Sequence, residues 1–253
     1  MPLRSSATVG FLLIGGRSVL GAPLTDISEV WDRVLEDTTG LAMADDVWAG
    51  VGQQKFQMTQ SGFYNNDVGG YNEALEVADP QVLLYAPSSN TVGDELVALS
   101  GVRTTFVKLP ARGVLHKATA TYFAAQGPED LNLQKILANL VARTTLGPTN
   151  LAIVDWGAAT TLGGAVYVGL SALTLDGGTS LGVSVHHSTD NFGADDTVLQ
   201  VFTNITGIGP AAERIAIPSG TTIKRYTRIQ YVFNGASGVN RTATFAAGIG
   251  RSN

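Results

Sequence analysis

Apolar residues recur along this chain at two different spacings. Between Thr25 and Thr38, the residues Ile27, Val30, Trp31, Val34 and Leu35 fall three and four positions apart. That spacing predicts a helix capped by Thr25, with Asp26, Ser28 and Glu29 in or near its first turn and Thr38-Thr39-Gly40 ending it. Leu133, Ile136, Leu137, Leu140 and Val141 repeat the pattern and predict a second helix over Pro128–Arg143, opened by Glu129 and Asp130 and closed by Arg143. Elsewhere the period is two. Lys55-Phe56-Gln57-Met58-Thr59 alternates polar with apolar, and Gln81–Tyr85, Val102–Leu109 and His116–Ala124 are short β-prone runs set in turn material.

Helical periodicity stops at Thr145-Leu146-Gly147-Pro148-Thr149-Asn150, where Gly-Pro forces a break, so the boundary of two units is expected there: residues 1–148 and 149–253. The second unit reads as all β. Strands are expected at Ala165–Leu175, Leu181–His187, Thr197–Asn204, Arg214–Ile217, Thr222–Asn234 and Arg241–Ile249, punctuated by Gly, Asp, Asn and Pro. The fold class is therefore mainly β: a β-sandwich unit with flanking helices, followed by a second all-β sandwich or jelly-roll-like unit.

Composition narrows the function. There is no cysteine among the 253 residues, which removes disulfides, thiolate metal sites and a cysteine nucleophile together. The formal charge of −5 falls on one side of the boundary: residues 1–148 hold 10 Lys/Arg against 15 Asp/Glu, and residues 149–253 hold six of each. Neither half has the basic excess of a protein that grips nucleic acid. The apolar run Val9–Ile14 is too short to span a bilayer and reads as a buried strand or an interface arm in preference to a secretory signal.

The candidate chemistry is thin. His186 and His187 are adjacent, so on a strand they face opposite ways and cannot share one metal; they read as solvated or hydrogen-bonded histidines. Asp190, Asp195 and Asp196 surround a glycine and could serve calcium, but Asp, Asn and Gly are equally the ordinary residues of a hairpin turn. Asp45-Asp46 and Asp94-Glu95 have no accompanying partner set for acid–base work, and no nucleophile elbow, phosphate loop or dinucleotide fingerprint occurs. No catalytic residue, cofactor or metal site is expected.

The stretch Met58-Thr59-Gln60-Ser61-Gly62-Phe63-Tyr64-Asn65-Asn66, followed by Gly69-Gly70-Tyr71-Asn72-Glu73-Ala74-Leu75, resembles a segment of the major tail tube proteins of long-tailed bacteriophages. Gly113-Val114-Leu115-His116-Lys117-Ala118 is similar to a later small-residue strand of that family, and Val185–Asn191, Ala212-Glu213-Arg214, Lys224–Arg228 and Phe245–Ile249 are similar to parts of its second half. Asn65-Asn66 stands where an acidic pair is common, so the turn is kept without its charge.

The resemblance implies a structural virion protein: a β-sandwich subunit whose sheet edges join neighbours into trimeric or hexameric rings, stacked into a hollow conduit for DNA ejection. Its partners would be other copies, other tail proteins at the tube ends, and DNA in transient, non-specific passage; it would be assembled in the host cytoplasm and reside in the phage tail. Residues 1–23 and Gly40–Gly52 would bind the ring above or below, with assembly contacts at Phe11, Leu12, Leu13, Trp48, Phe63 and Tyr64. Asp67, Glu73, Glu76, Asp79, Asp94 and Glu95 would face the lumen and repel phosphates. The second unit either decorates the outside or supplies a second tube unit per chain. The competing reading is a capsid-surface decoration or a carbohydrate-binding adhesion protein.

Overall fold

The computed structural model of the chain describes residues 9–19, 24–37, 48–63, 75, 81–109, 117–124, 134–235 and 240–252. These form sixteen strands in three antiparallel sheets. In chain order they are β1 (Phe11–Ile14), β2 (Arg17–Ser18), β3 (Leu24–Asp37), β4 (Trp48–Phe63), β5 (Gln81–Ala86), β6 (Val97–Leu109), β7 (Lys117–Ala124) and β8 (Gln134–Arg143). There follow β9 (Thr149–Asn150), β10 (Val154–Asp155), β11 (Gly164–Leu175), β12 (Ser180–Ser188), β13 (Thr197–Val201), β14 (Ala211–Ile217), β15 (Tyr226–Asn234) and β16 (Arg241–Arg251). Among the described residues no helix is long and apolar enough to cross a membrane.

The seven-stranded sheet runs β2-β1-β5-β6-β7-β4-β3, the four-stranded sheet β14-β11-β16-β8, and the five-stranded sheet β10-β15-β12-β13 with β9 also on β15. The four-stranded sheet is the middle layer. One of its faces, with Val166, Val168, Leu170, Phe245 and Ile249, packs on Leu181, Val183, Val185, Ile229 and Tyr231 of the five-stranded sheet, as in a β-sandwich. Its other face, with Ile136, Ala165, Tyr167 and Ala246, packs on Phe11, Leu13, Leu84 and Ala98 of the seven-stranded sheet and on Leu96 just before β6. That sheet in turn curls over a core of its own, formed by Leu12, Ile14, Leu83, Tyr85, Leu99, Phe56, Met58 and Tyr122 with Leu75 beside them.

The strands that lie between layers are apolar at every position because both faces are covered. β1 and β5 show this directly. Phe11, Leu12, Leu13 and Ile14 alternate between the two cores, as do Leu83, Leu84, Tyr85 and Ala86. Gly15 and Gly16, at φ of 55° and 83°, make the two-residue turn from β1 to β2, a conformation that L side chains disfavour. Gly169 admits the close approach of the layers, since a Cβ there would lie 2.8 Å from Leu13 Cδ1.

Over the described residues both expected helices are strands; residues 128–133 of the second lie outside them. Residues 24–37 pair with β4 in twelve register positions, so Ile27 is half-buried while Val30 is 51% exposed, and the supposed single apolar face is divided between the two sides of a sheet. Gln134–Arg143 forms an outer strand of the four-stranded sheet, pairing with β16, and its apolar cluster is explained by burial on both sides: Ile136 meets the seven-stranded sheet, Leu137 and Ala138 the five-stranded one. Apolar residues at adjacent positions then mimic a helical stripe. Pairing with β16 also carries residues 134–143, which precede the expected boundary at 148, into the sheet of the second half. The six strands expected beyond residue 149 are present as β11 to β16, with ends that differ by at most four residues.

Candidate functional site

Two features stand out: a strand edge with a protruding ribbon on the seven-stranded sheet, and a hydrogen-bonded charge cluster on the five-stranded sheet. Among the described residues β4 meets β7 over Gln57–Phe63, whereas Trp48–Phe56 pair with β3 alone. At a rise of about 3.3 Å per residue this leaves roughly 30 Å of two-stranded ribbon beyond the body of the sheet. β3 itself pairs with no other strand among the described residues, so a 14-residue edge is open. On the outward side of the adjoining strands, hydroxyls line up across the register: Thr59 Oγ1 lies 3.1 Å from Thr121 Oγ1, and Ser61 Oγ lies 2.9 Å from Thr119 Oγ1.

The residues expected at assembly contacts divide sharply. Phe11, Leu12 and Leu13 are at most 1% exposed and sit in the two cores, with β1 hydrogen-bonded to β5; they offer no surface to a neighbour. The backbones of Trp48 and Phe63 belong to β4, but their side chains, and Tyr64, lie outside the described residues. Of the acidic set, Asp67, Glu73, Glu76 and Asp79 lie outside the described residues as well. Asp94 and Glu95 are exposed in the connection from β5 to β6, where the Asp94 carboxylate accepts from Ser89 Oγ and the Glu95 backbone makes an isolated antiparallel β-bridge to Lys135.

The charge cluster is built by the hairpin from β12 to β13. Asp190 accepts from the backbone N–H of Ala194 at 2.7 Å, from Ser188 Oγ at 2.8 Å and from the N–H of Gly193 at 3.1 Å, and these donors, Ala194 first, hold its pKa below the usual carboxylate range. This clasp supports Asn191 and Phe192 at φ of 61° and 63°, a left-handed conformation unusual for a phenylalanine. Asp195 accepts from Lys224 Nζ at 2.6 Å, Thr189 N–H at 2.8 Å and Thr189 Oγ1 at 2.7 Å, and its pKa is lowered by these donors, Lys224 first. Asp196 takes Arg228 Nη2 at 2.6 Å on one oxygen and His186 Nδ1 at 2.7 Å on the other. All three carboxylates face protein donors, and no group of side chains suited to a metal occurs among the described residues, so the calcium reading gives way to a hairpin clasp.

The adjacent histidines engage separate partners, as a strand requires. His186 alternates with the core residue Val185 and meets Ser184 Oγ through Nε2 at 3.1 Å. His187 accepts the Lys224 N–H at Nδ1, 3.3 Å away, and burial, then the Lys224 charge, pushes its pKa down. Sequence reasoning passed over Ser184 altogether; its signal was the spacing of two from His186, which puts both on one face. Elsewhere on this end of the molecule, Arg225 binds Asp155 in a fork at 2.8 and 2.7 Å, and that carboxyl is lowered to about 2.

No family model matches the chain, and no curated protein matches it in sequence. Solved structures similar to it include the tail of an empty GTA particle, determined with helical refinement in C6 symmetry, at 12% identity over 46% of this chain and 92% of that one, TM-score 0.39. They also include the Dit protein of phage SPP1, described as a paradigm of the hub adsorption apparatus in phages infecting Gram-positive hosts, at 10% identity over 94% and 97%, TM-score 0.33. A third, from infectious bursal disease virus strain Gx, has 11% identity over 96% and 57%, TM-score 0.30. At these scores the likenesses are too weak to assign a fold or a function.

Proposed function

We propose that this chain is a structural protein of a phage tail, and more narrowly the major tail tube subunit whose rings stack into a conduit for DNA ejection. The observation that carries the reading is the β3–β4 ribbon. A two-stranded hairpin is marginal in water by itself, and a long open edge invites pairing with another chain. Contact between copies satisfies both: the β3 edge continues the seven-stranded sheet around a closed ring, and the ribbon reaches a neighbouring copy. The motif from Met58 to Leu75, which resembles tail tube proteins, begins on β4 itself.

In this arrangement Trp48, at the far end of the ribbon, and Phe63, at the opposite end of β4, contact neighbouring copies, and so does Tyr64. Asp67, Glu73, Glu76, Asp79, Asp94 and Glu95 face the lumen, where rings of like charge keep phosphates moving. The remaining partners are other tail proteins at the tube ends and DNA in passage, and the site of action is the virion. Negative-stain imaging of the purified chain tests the proposal. Rings or tubes with a central channel are expected; discrete single copies at every concentration and salt condition would overturn it.

A further inference from the structure

We propose that Ser184, His186 and Asp196 form a nucleophile, base and orienting group on the outer face of the five-stranded sheet, competent to react with a carboxylic ester. The inference rests on geometry independent of assembly. Asp196 Oδ1 lies 2.7 Å from His186 Nδ1, and because an ionised carboxylate only accepts, the proton sits on Nδ1. The lone pair of Nε2 is thereby left facing Ser184 Oγ, 3.1 Å away. This is the arrangement that activates a serine: a base in hydrogen-bond reach of the hydroxyl, itself held in one tautomer by a third group.

The surroundings fix the triad and offer room for a substrate. Arg228 holds the second oxygen of Asp196 at 2.6 Å and is itself covered by the Phe192 ring, 3.9 Å from its guanidinium carbon. His186 is only 7% exposed, whereas its register partner Val198 and the register partner of Ser184, Val201, are 50% and 60% exposed. These two valines form the apolar floor for an acyl group. On the other side of Ser184 stands Gln230 of β15, whose backbone carbonyl oxygen lies 3.5 Å from Ser184 Oγ and whose side-chain Nε2 is held away from it by Asn150 Oδ1 at 2.8 Å.

Ser184 Oγ adds to the ester carbonyl while its proton passes to His186 Nε2. The carbon–alkoxide bond then breaks and the alkoxide takes that proton, leaving an acyl-serine and a free alcohol. Water repeats the sequence, releasing the carboxylic acid and restoring the serine. No oxidant or reductant is involved. The substrate class is a small acyl ester accessible to an open protein face.

The test uses the full chain with a fluorophosphonate probe and mass spectrometry of the modified peptide. One adduct at Ser184 is expected, absent in Ser184→Ala and formed at least about a hundred-fold more slowly in His186→Gln, the scale of general-base assistance. Circular dichroism of each variant confirms that it is folded. Asp196 acts through His186 as a positioning residue, so Asp196→Asn should slow the adduct and also release the Nδ1–H tautomer, read by nitrogen chemical shifts of the imidazole. Absence of an adduct on the unaltered chain, labelling scattered over many serines, or a Ser184 adduct whose rate ignores His186→Gln would each overturn the proposal. A tautomer unchanged in Asp196→Asn would remove Asp196 from it.

Discussion

Leu13 and Gly169 give the sharpest test of the layered architecture, because the side chain of one occupies the space a side chain at the other would need. Leu13 is fully buried between the seven- and four-stranded sheets, and a Cβ at position 169 would sit 2.8 Å from its Cδ1 and 3.2 Å from Leu84 Cδ1. Leu13→Ala leaves a cavity in a place hemmed by two sheets and should cost about 3 kcal/mol, within the 2–5 kcal/mol range of such deletions. For a chain of this size that lowers the thermal midpoint by roughly 6–12 °C. Gly169→Ala alone should cost about 1–2 kcal/mol, the overpacking against Leu13 exceeding the entropy lost from the unfolded chain. In the Leu13→Ala background the new methyl enters the vacated space, and Gly169→Ala becomes neutral or stabilising. Thermal and urea unfolding of the four proteins, at a concentration below any association, measures the coupling. Additive effects within about 0.5 kcal/mol, or a Leu13→Ala variant that melts normally yet fails to associate, would refute this packing and return Leu13 to the surface.

Gln60 is fully buried, and among the described residues neither its Nε2 nor its Oε1 has a hydrogen-bond partner, so Gln60→Met should raise stability by about 1 kcal/mol or more; a lowered midpoint would mean that the amide has a partner. Arg143, pushed down to about 10 by burial, reaches the carbonyls of Asn139, Val141 and Phe245 at 2.7–2.9 Å; Arg143→Lys cannot fork to all three and should cost about 2 kcal/mol in urea unfolding. His187 has a folded pKa below its unfolded 6.5, so the unfolded chain binds the extra proton and stability is lost as pH falls from about 6.5 through the lowered value; His187→Gln should flatten that part of a midpoint-against-pH curve. Asp190 and Asp195 act in the same direction further down, their contribution present above the ordinary carboxylate range and lost as pH falls through their lowered values. Asp190→Ala should speed amide exchange at Gly193 and Ala194 with little change in the global melt; unchanged exchange would show that the clasp does not hold the turn.

The strands of the second half were legible because alternation and turn chemistry agree there. In β15, Thr227, Ile229, Tyr231 and Phe233 face inward at alternate positions, and Gly and Asp mark the ends of the neighbouring strands. The first half misled where strands lie between two layers. Residues 134–140 place apolar groups on both sides, and nothing local distinguishes that from the stripe of an amphipathic helix; only the presence of a sheet on each side decides it. β3 misled for the opposite reason. Its pairing along a single strand tolerates apolar residues such as Val30 on an open face, so the alternation is irregular and the three- and four-residue spacing dominates. Phe11, Leu12 and Leu13 followed the same logic as residues 134–140: a short run, apolar on both faces, belongs in the interior, and its nearness to the N-terminus carries no information about that.

The cluster at Ser184 was half legible. A serine and a histidine two apart on a strand must share a face, and the alternation of Leu181, Val183 and Val185 into the core already says which face that is. Asp196 could not be placed from the sequence, because its side depends on the register of β12 against β13. That register shifts between Val185 and His186: Val185 stands opposite Gln200, but His186 stands opposite Val198, and Leu199 is the extra residue. Without the bulge His186 would pair with Leu199, and Val198, Asp196 and their face would turn toward the core while Leu199 turned outward. The bulge thus does two things at once, letting Leu199 pack on the sandwich core and bringing the Asp196 carboxylate to His186. Deleting Leu199 should restore regular pairing with Val201 opposite Ser184 and Val198 opposite His186, keeping Asp196 and the Nδ1–H tautomer at His186 while the core loses the Leu199 side chain; loss of that tautomer in a folded deletion variant would refute this register.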